Sequence, residues 1–427
     1  MKKVGIMGGT FNPIHISHLL IADRAYAYLG LDKVLFMPSK LPPHKAVNEL
    51  AAEKDRVEMI KEAIKDHPNF EFSDFELKRD GLTYTADTLT LLKKENPETR
   101  YYFIIGGDSI EYFEKWNNPQ LILENCVLVC APRASEKRLS RPDTCQTVEG
   151  TDSNYHEYDY AHIINRLCKM FTRTREDGTV FNPEIVMLPS PLVSISSSGI
   201  REHIKCGLSI GSMVPKAVED YIVKHGLYLN PEFEEIKARQ KEYLKPKRFT
   251  HVLNVAATAY KLAMVNCIDP LKAYTAGLLH DCAKHLDDCE ILKEAEKYNI
   301  EVDDVERRNA SNLLHSKVGS KWAKEKFGID DEEIMSAIYY HTTGRPEMTG
   351  LEMVLYLADI LEPGRDIEYT PSLDVIRAEA TYDLELAVYH VLNNVVPYLL
   401  ENYRENVCMT TVYTYEYYKK RIENRNK

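Results

Sequence analysis

Two groups of residues in this chain of 427 have types and spacing suited to phosphate chemistry. The first is Gly8-Gly9-Thr10-Phe11-Asn12-Pro13-Ile14-His15-Ile16-Ser17-His18, directly after a short apolar run. A glycine pair after a strand lets the backbone approach a phosphate closely. A helix that follows adds N–H donors and the positive end of its dipole. His15 and His18, at i and i+3 on the first turn of that helix, point the same way. Two imidazoles aimed at one spot can donate hydrogen bonds to a charge-laden phosphorus centre without needing a metal. The plain alternative is two surface histidines at a helix start. A zinc pair is disfavoured, because no third ligand lies nearby in sequence.

The second group surrounds His280-Asp281, at the end of the apolar stretch Ala276-Gly277-Leu278-Leu279. An isolated His-Asp pair carries no signal, but its company does. His251 stands in Arg248-Phe249-Thr250-His251, His341 in Tyr339-Tyr340-His341-Thr342 and Asp359 in Leu357-Ala358-Asp359, with His315 between. Each sits in or beside an apolar stretch and is expected to turn inward, which is costly for polar side chains unless something coordinates them. Imidazole and carboxylate ligands suit Fe, Mn, Mg or Zn. Any one of these histidines alone reads as an ordinary core or surface residue; the whole set reads as a metal site. Lys284, one helical turn beyond His280, suits a substrate phosphate, or is a solvated lysine.

The elements that must carry these residues differ between the two halves. Up to about residue 228, Val4 to Met7, Lys33 to Met37, Tyr101 to Ile105, Val127 to Ala131 and Glu184 to Leu188 read as short buried strands. Helical stretches lie between them; Leu19, Ala22, Tyr26 and Leu29 share a face and Gly30 is placed as a C-cap. The alternation predicts a mostly parallel sheet with helices on both faces and ligands at the carboxyl ends of the strands, where the glycines, His15, His18 and Asp108 fall. Residues 230–247 are highly charged and read as a partly helical linker. Beyond them the pattern is helical, with breaks at Asp269-Pro270, Gly328 and Gly344-Arg345-Pro346. The expected division is 1–229, a linker over 230–247, and an all-α region over 248–427. Residues 134–160 read as a long surface loop.

Composition narrows the classes. Net charge is −11, which disfavours a broad nucleic-acid-binding face and leaves room for a local phosphate pocket. No apolar run approaches the roughly 18 residues of a membrane helix, and the N-terminus does not read as a signal peptide. Nine cysteines without a Cys-x-x-Cys pair fit reduced thiols better than a disulfide framework. The expectation is a soluble cytoplasmic protein with small-molecule partners, no nucleic acid and no membrane. Assembly into homo-oligomers is left open.

The first group resembles the nucleotidyltransferase signature, in which Gly-x-Phe-x-Pro-x-His-x-x-His binds and activates the ATP phosphates. The superfamily's later Ser-Ser-Thr-x-Ile-Arg is matched by Ile195-Ser196-Ser197-Ser198-Gly199-Ile200-Arg201, a helix N-terminus with hydroxyls and an Arg suited to triphosphate oxygens. Leu41-Pro42-Pro43-His44-Lys45, Tyr84-Thr85-Ala86-Asp87-Thr88, Phe103-Ile104-Ile105-Gly106-Gly107-Asp108-Ser109, Trp116 and Ala131-Pro132-Arg133 resemble the bacterial nicotinate-mononucleotide adenylyltransferases. That resemblance covers roughly residues 1–229 and implies a Rossmann-like α/β fold. It also implies a reaction: in-line attack of the mononucleotide phosphate on the α-phosphorus of ATP, with Mg²⁺ neutralising the departing pyrophosphate.

By the same resemblance His15, His18 and Arg201 stabilise the developing charge, and Gly8, Gly9, Thr10, Phe11, Asn12, Gly106, Ser109, Arg133, Ser196, Ser197 and Ser198 line the substrates. Lys45 meets the mononucleotide phosphate, Thr85 and Trp116 hold the pyridine ring, and Asp108 contacts the adenosine side; a core or rim aromatic is the plain reading of Trp116. Ser17 replaces a usual Gly and Ser198 a usual Thr.

The second group resembles the HD phosphohydrolase superfamily over about residues 245–420, and within it the small bacterial proteins that cleave diadenosine tetraphosphate into two ADP. That resemblance implies two divalent metals held by His251, His280, Asp281, His315, His341 and Asp359, with iron first and Mn²⁺ or Co²⁺ as alternatives. Asp281 would bridge them, and Lys284 and Arg365 would meet phosphate. Ser316 stands where a Gly is usual. Other readings stay open: transfer to a different phosphate-bearing acceptor, and an HD half acting as a nucleotidase, a phosphodiesterase or a non-catalytic nucleotide sensor.

Overall fold

The computed structural model describes residues 1–40, 50–79, 81, 83–132, 160–189, 195–365 and 373–425. The contacts divide the chain into two units, Met1–Leu229 and Asn230–Lys427.

In the first unit strands and helices alternate. In chain order they are β1 (Lys2–Gly9), α1 (Ile16–Leu29), β2 (Lys33–Pro38), α2 (Glu53–Ile64), β3 (Phe70–Phe72), α3 (Thr85–Glu95), β4 (Thr99–Gly106), α4 (Gly107–Ile110), α5 (Pro119–Asn125), β5 (Cys126–Ala131), α6 (Tyr160–Phe171), β6 (Ile185–Met187), α7 (Ser197–Lys205) and α8 (Lys216–His225). The six strands form one parallel sheet, ordered β3-β2-β1-β4-β5-β6. A small antiparallel pair, Arg173–Thr174 with Val180–Phe181, lies apart from it. The five strands expected from the sequence all coincide with strands of the sheet; β3 was not expected, because Glu71 interrupts Phe70-Glu71-Phe72 and leaves no apolar run.

Successive residues of each strand point to opposite faces, so Ile104 packs with α1, α2, α7 and α8 while Phe103 and Ile105 pack with α3, α5 and α6. Both faces are therefore covered and the strands are nearly all apolar. Helix α1 ends where Gly30 turns left-handed (φ 58°) and its N–H closes on Tyr26 O, a conformation glycine adopts without steric cost.

In the second unit the charged stretch expected to be a partly helical linker holds α9 (Pro231–Tyr243), whose Asn230 cap accepts from Glu232 N. Phe233 and Ile236 are buried, and the fully buried Gln240 donates to Leu278 O at 2.6 Å. A narrow inward stripe at i, i+3 and i+7 is enough to dock a helix that is otherwise charged. The rest is helical: α10 (Pro246–Val265), α11 (Pro270–Leu279), α12 (Asp288–Lys297), α13 (Asp304–Arg308), α14 (Ala310–Glu325), α15 (Glu332–Tyr340), α16 (Gly350–Leu361), α17 (Leu373–Glu379), α18 (Leu384–Asn402) and α19 (Met409–Arg425).

Helices α10 and α11 approach closely at Gly277, where a Cβ would lie 2.5 Å from Ala256 Cα. That approach brings His251 of α10 beside His280 at the end of α11. Among the described residues no helix is long and apolar enough to cross a membrane.

Candidate active sites

In the first unit the strand order reverses between β1 and β4, and the crevice at such a switch point is where an open α/β sheet takes ligands. Gly8 and Gly9 end β1; Gly106 ends β4, and Asp108 and Ser109 follow on α4. Phe11 has a positive φ of 50°, the Asn12–Pro13 bond is cis, and His15 caps α1. His15 N donates to His18 Nδ1 at 3.3 Å and the two rings stack with centroids 3.6 Å apart. Because Nδ1 of His18 accepts, its neutral ring carries the proton on Nε2 and is a donor there. Ser17 is buried in the first turn of α1 rather than facing solvent.

Tertiary contacts join the two distant motifs. Arg201 donates to Asn12 O at 3.0 Å, and Ser197 Oγ to Pro13 O at 3.0 Å, across 184 residues. Ser196 caps α7 by accepting from Gly199 N at 3.1 Å and lies 3.2 Å from Ser198 Oγ. One of the hydroxyls expected to meet triphosphate oxygens, that of Ser197, thus ties the helix end to the glycine loop, and that of Ser196 caps the helix itself. Thr85 is half-buried at the start of α3. Trp116 is half-buried against Phe113 and Phe103, centroids 5.5 and 6.4 Å away, and Asp108 is exposed. Lys45 and Arg133 lie outside the described residues.

A residue the sequence reading missed holds this loop in shape. Arg56 of α2 is buried and donates to Thr10 O and Ser39 O, each at 2.9 Å, and to Lys40 O at 3.4 Å. Burial pushes its pKa down, partly offset by Glu53 and Tyr228. Tyr228 donates to Asn12 Oδ1 at 2.9 Å, which also accepts from Ala51 N. Replacing Arg56 by Ala strands buried carbonyl groups, each costing about 1–3 kcal/mol. Arg56→Ala is expected to destabilise the first unit by about 3 kcal/mol, lowering its Tm by roughly 6–12 °C, as read by calorimetry.

In the second unit all six expected ligands converge, in two groups. His251 Nε2 lies 3.0 Å from Asp359 Oδ1 and 3.8 Å from Asp281 Oδ2. His280 Nε2 lies 3.5 Å from Asp281 Oδ2 and 3.8 Å from Asp359 Oδ1. On the other side, His315 Nε2 is 3.3 Å from Asp281 Oδ1 and 3.2 Å from His341 Nε2. Asp281 therefore presents one oxygen to each group. His280, Asp281, His315 and His341 are all buried.

Backbone carbonyls set two of the tautomers. His280 Nδ1 donates to Gly277 O at 2.7 Å and His341 Nδ1 to Ile338 O at 2.8 Å, so each neutral ring keeps its Nε2 lone pair for the centre. The buried Nε2 of His280 makes no hydrogen bond and that of His251 faces Asp359 Oδ1 at 3.0 Å. Buried imidazole nitrogens beside carboxylates fit a metal ligand set, and His251–His280–Asp281 and Asp281–His315–His341 each have ligand atoms close enough to hold one ion. The donor set fits divalent cations.

Cations ring the same centre. Arg248, one turn before His251 and given no role from the sequence, donates to Asp281 Oδ2 at 2.9 Å. Arg365 donates to Asp359 Oδ1 at 2.8 Å. Lys284 donates to Ser311 O and Asn312 Oδ1, each at 3.2 Å, and lies 3.4 Å from His315 Nδ1. Burial pushes the Lys284 pKa down, against the pull of Asp281. Ser316 is buried and donates to Leu313 O, so the hydroxyl in place of the usual Gly is satisfied within its own helix.

Burial opposes ionisation of Asp281, but His280, His315 and His341 outweigh it and hold the carboxyl well below its usual range. Burial likewise opposes ionisation of Asp359, with His251, His280 and Arg365 prevailing. Burial lowers His315, and lowers His341 to about 3. For His251 burial is outweighed by Asp359 and Asp281, and its pKa rises.

The sign for stability follows. His315 and His341 bind protons more readily unfolded, so metal-free protein loses stability as pH falls below about 6.5; the depressed aspartates add to the loss at lower pH. His251 acts oppositely, favouring the fold below about 6.5, but two lowered histidines outweigh one raised. In EDTA, urea midpoints are expected to fall from pH 7.5 to 4.5, less steeply in His341→Gln. Saturating metal at pH 7.5 should raise the midpoint, the added stability being about 2.7 kcal/mol at a hundredfold excess over Kd.

The folds and sites define a nucleotidyltransferase-type α/β unit followed by an all-helical HD unit. Residues 6–203 match the cytidylyltransferase-like family and residues 248–364 the HD domain. A probable nicotinate-nucleotide adenylyltransferase of Lachnoclostridium phytofermentans is 41% identical over 229 residues, covering 54% of this chain and 100% of that protein. A probable nicotinate-nucleotide adenylyltransferase/Ap4A hydrolase of Mycoplasma genitalium is 30% identical over 369 residues, covering 86% of this chain and 89% of that one. A solved structure from Clostridium acetobutylicum, a "predicted HD superfamily hydrolase involved in NAD metabolism", is 36% identical, covering 44% of this chain and 97% of its own, with a TM-score of 0.42. The chain belongs to the nicotinate-nucleotide adenylyltransferase family, in the form that joins the transferase to an HD hydrolase domain.

Proposed function

We propose that the first unit transfers adenylyl from ATP to nicotinate mononucleotide and that the second cleaves diadenosine tetraphosphate symmetrically into two ADP. In the transfer, an oxygen of the mononucleotide phosphate attacks the α-phosphorus of ATP and the bond to the bridging oxygen breaks, releasing pyrophosphate. His18 Nε2–H, His15, Arg201 and the N–H groups after Gly9 donate to the oxygens on which charge builds. No protein nucleophile is needed; orientation and fixed donors do the catalysis. Mg²⁺ entering with ATP would neutralise the leaving group.

For the hydrolase, the observation that carries the reading is Asp281, with Oδ2 toward His251 and His280 and Oδ1 toward His315. Divalent cations held by His251, His280, Asp281, His315, His341 and Asp359 would supply Lewis-acid polarisation of phosphate and an acidified water. Lys284, Arg248 and Arg365 place cationic donors around the same centre, suiting a chain of several phosphates. Water adds at one of the two central phosphorus atoms, the bond between the second and third phosphates breaks, and each half leaves as ADP.

The test incubates the full chain with diadenosine tetraphosphate and Fe²⁺, Mn²⁺, Co²⁺ or Mg²⁺ in turn and resolves the products by anion exchange. ADP as sole product is expected, with iron giving the highest rate. AMP with ATP, or no turnover with any metal, would sink the symmetrical reading.

A further inference from the structure

We propose that Glu362 is a positioning residue of the HD metal centre, holding His251 in its ligating tautomer and tying it to the helix that supplies Asp359. This rests on reading the six converging residues as a metal site.

Glu362 is 3% exposed, and its carboxylate receives three hydrogen bonds. Oε1 accepts from His251 Nδ1 at 3.2 Å; Oε2 accepts from Asn254 Nδ2 at 2.9 Å and from Gly364 N at 2.6 Å. An ionised carboxylate can only accept, so Nδ1 of His251 carries the proton and Nε2 keeps its lone pair toward Asp359 and Asp281. The negative charge also makes that nitrogen a more basic ligand.

His251 differs here from its neighbours. His280 and His341 are anchored by carbonyls of their own helices, which no side-chain change removes. His251 depends on a side chain 111 positions away. That side chain follows Asp359 by one turn, so a single carboxylate joins a ligand of α10 to the end of α16. Its other oxygen holds Asn254, one turn after His251, and the turn leading to Arg365. Gly364 leaves the carboxylate room: a Cβ there would lie 2.9 and 3.1 Å from its oxygens.

Glutamine cannot replace this group. Every neighbour donates, so an amide NH2 would face either His251 Nδ1–H or the Asn254 and Gly364 donors.

The experiment titrates metal-stripped full chain with Co²⁺ alone, reading stoichiometry and Kd by chelator competition and ligand geometry by visible absorption. Wild type is expected to take two equivalents. Glu362→Gln should keep one at wild-type affinity and bind the other about 10–100-fold more weakly, with an altered spectrum and unchanged adenylyl transfer. Asn254→Ala, which leaves the His251 contact in place, should weaken it far less. Two equivalents at wild-type affinity in Glu362→Gln would overturn the proposal. Should that variant fail to fold, Gly364→Ala decides: it crowds the carboxylate, and an unchanged Kd overturns the proposal equally. Wild type taking up no Co²⁺ would instead sink the metal-centre reading beneath it.

Discussion

Asp281→Ala is expected to reduce hydrolysis of diadenosine tetraphosphate by about 10³-fold or more, on the order of 4 kcal/mol of barrier, while adenylyl transfer stays at its wild-type rate. One side chain faces both ligand groups, with Oδ2 3.5 Å from His280 Nε2 and Oδ1 3.3 Å from His315 Nε2. Removing it takes a ligand atom from each group at once. It also leaves Arg248 and the inward imidazoles without the buried anion that offsets them. Metal content should fall together with activity, and excess Mn²⁺ or Co²⁺ should restore little of either. His251→Ala, which touches one group only, should be the milder variant and partly recover at high metal. Equal, metal-independent loss in both would argue against two ions sharing Asp281. Steady-state rates for both reactions on the same preparation, with metal analysis of each variant, decide the matter.

His18→Ala should lower kcat of adenylyl transfer by about 10²–10³-fold, or roughly 2.7–4 kcal/mol, with KM for ATP changed little. His15 N donates to His18 Nδ1 at 3.3 Å, which leaves Nε2–H as the outward donor. Such a donor matters most where charge builds in the transition state, hence the split between kcat and KM. His18→Gln offers an amide donor of similar reach and should recover part of the rate. An equal rise in KM with kcat unchanged would make His18 a ground-state binder and refute the assignment. Hydrolysis of diadenosine tetraphosphate, measured alongside, should be unaffected because the two sites share no residue.

Which parts of this protein were legible in the sequence follows from how far each signal reaches along the chain. The glycine pair, the i, i+3 histidines and the hydroxyls opening α7 are local patterns, written within one turn or one strand-to-helix junction. The five expected strands were legible because each is a short apolar run bounded by Gly, Pro, Asn or charge. The convergence of these six His and Asp side chains was legible because such residues in or beside apolar stretches are costly without a partner. Residues 230–247 show a helix, as expected, but its docking was not legible, because charge density outweighs the few positions that dock it: Phe233, Ile236 and Gln240 suffice.

The sequence by itself determined the two chemistries and the elements that bear them, since backbone propensity, helix phase and the cost of burying polar groups act at short range. Tertiary structure alone decided which residues hold those chemistries in shape. Arg56 reads as one charge among many in α2 until its carbonyl acceptors at Thr10, Ser39 and Lys40 gather around it. Arg248 reads likewise until Asp281 arrives from another helix, and Glu362 until His251 does. A buried charge is stable only where partners converge on it, and those partners lie on segments distant along the chain that meet only when it folds.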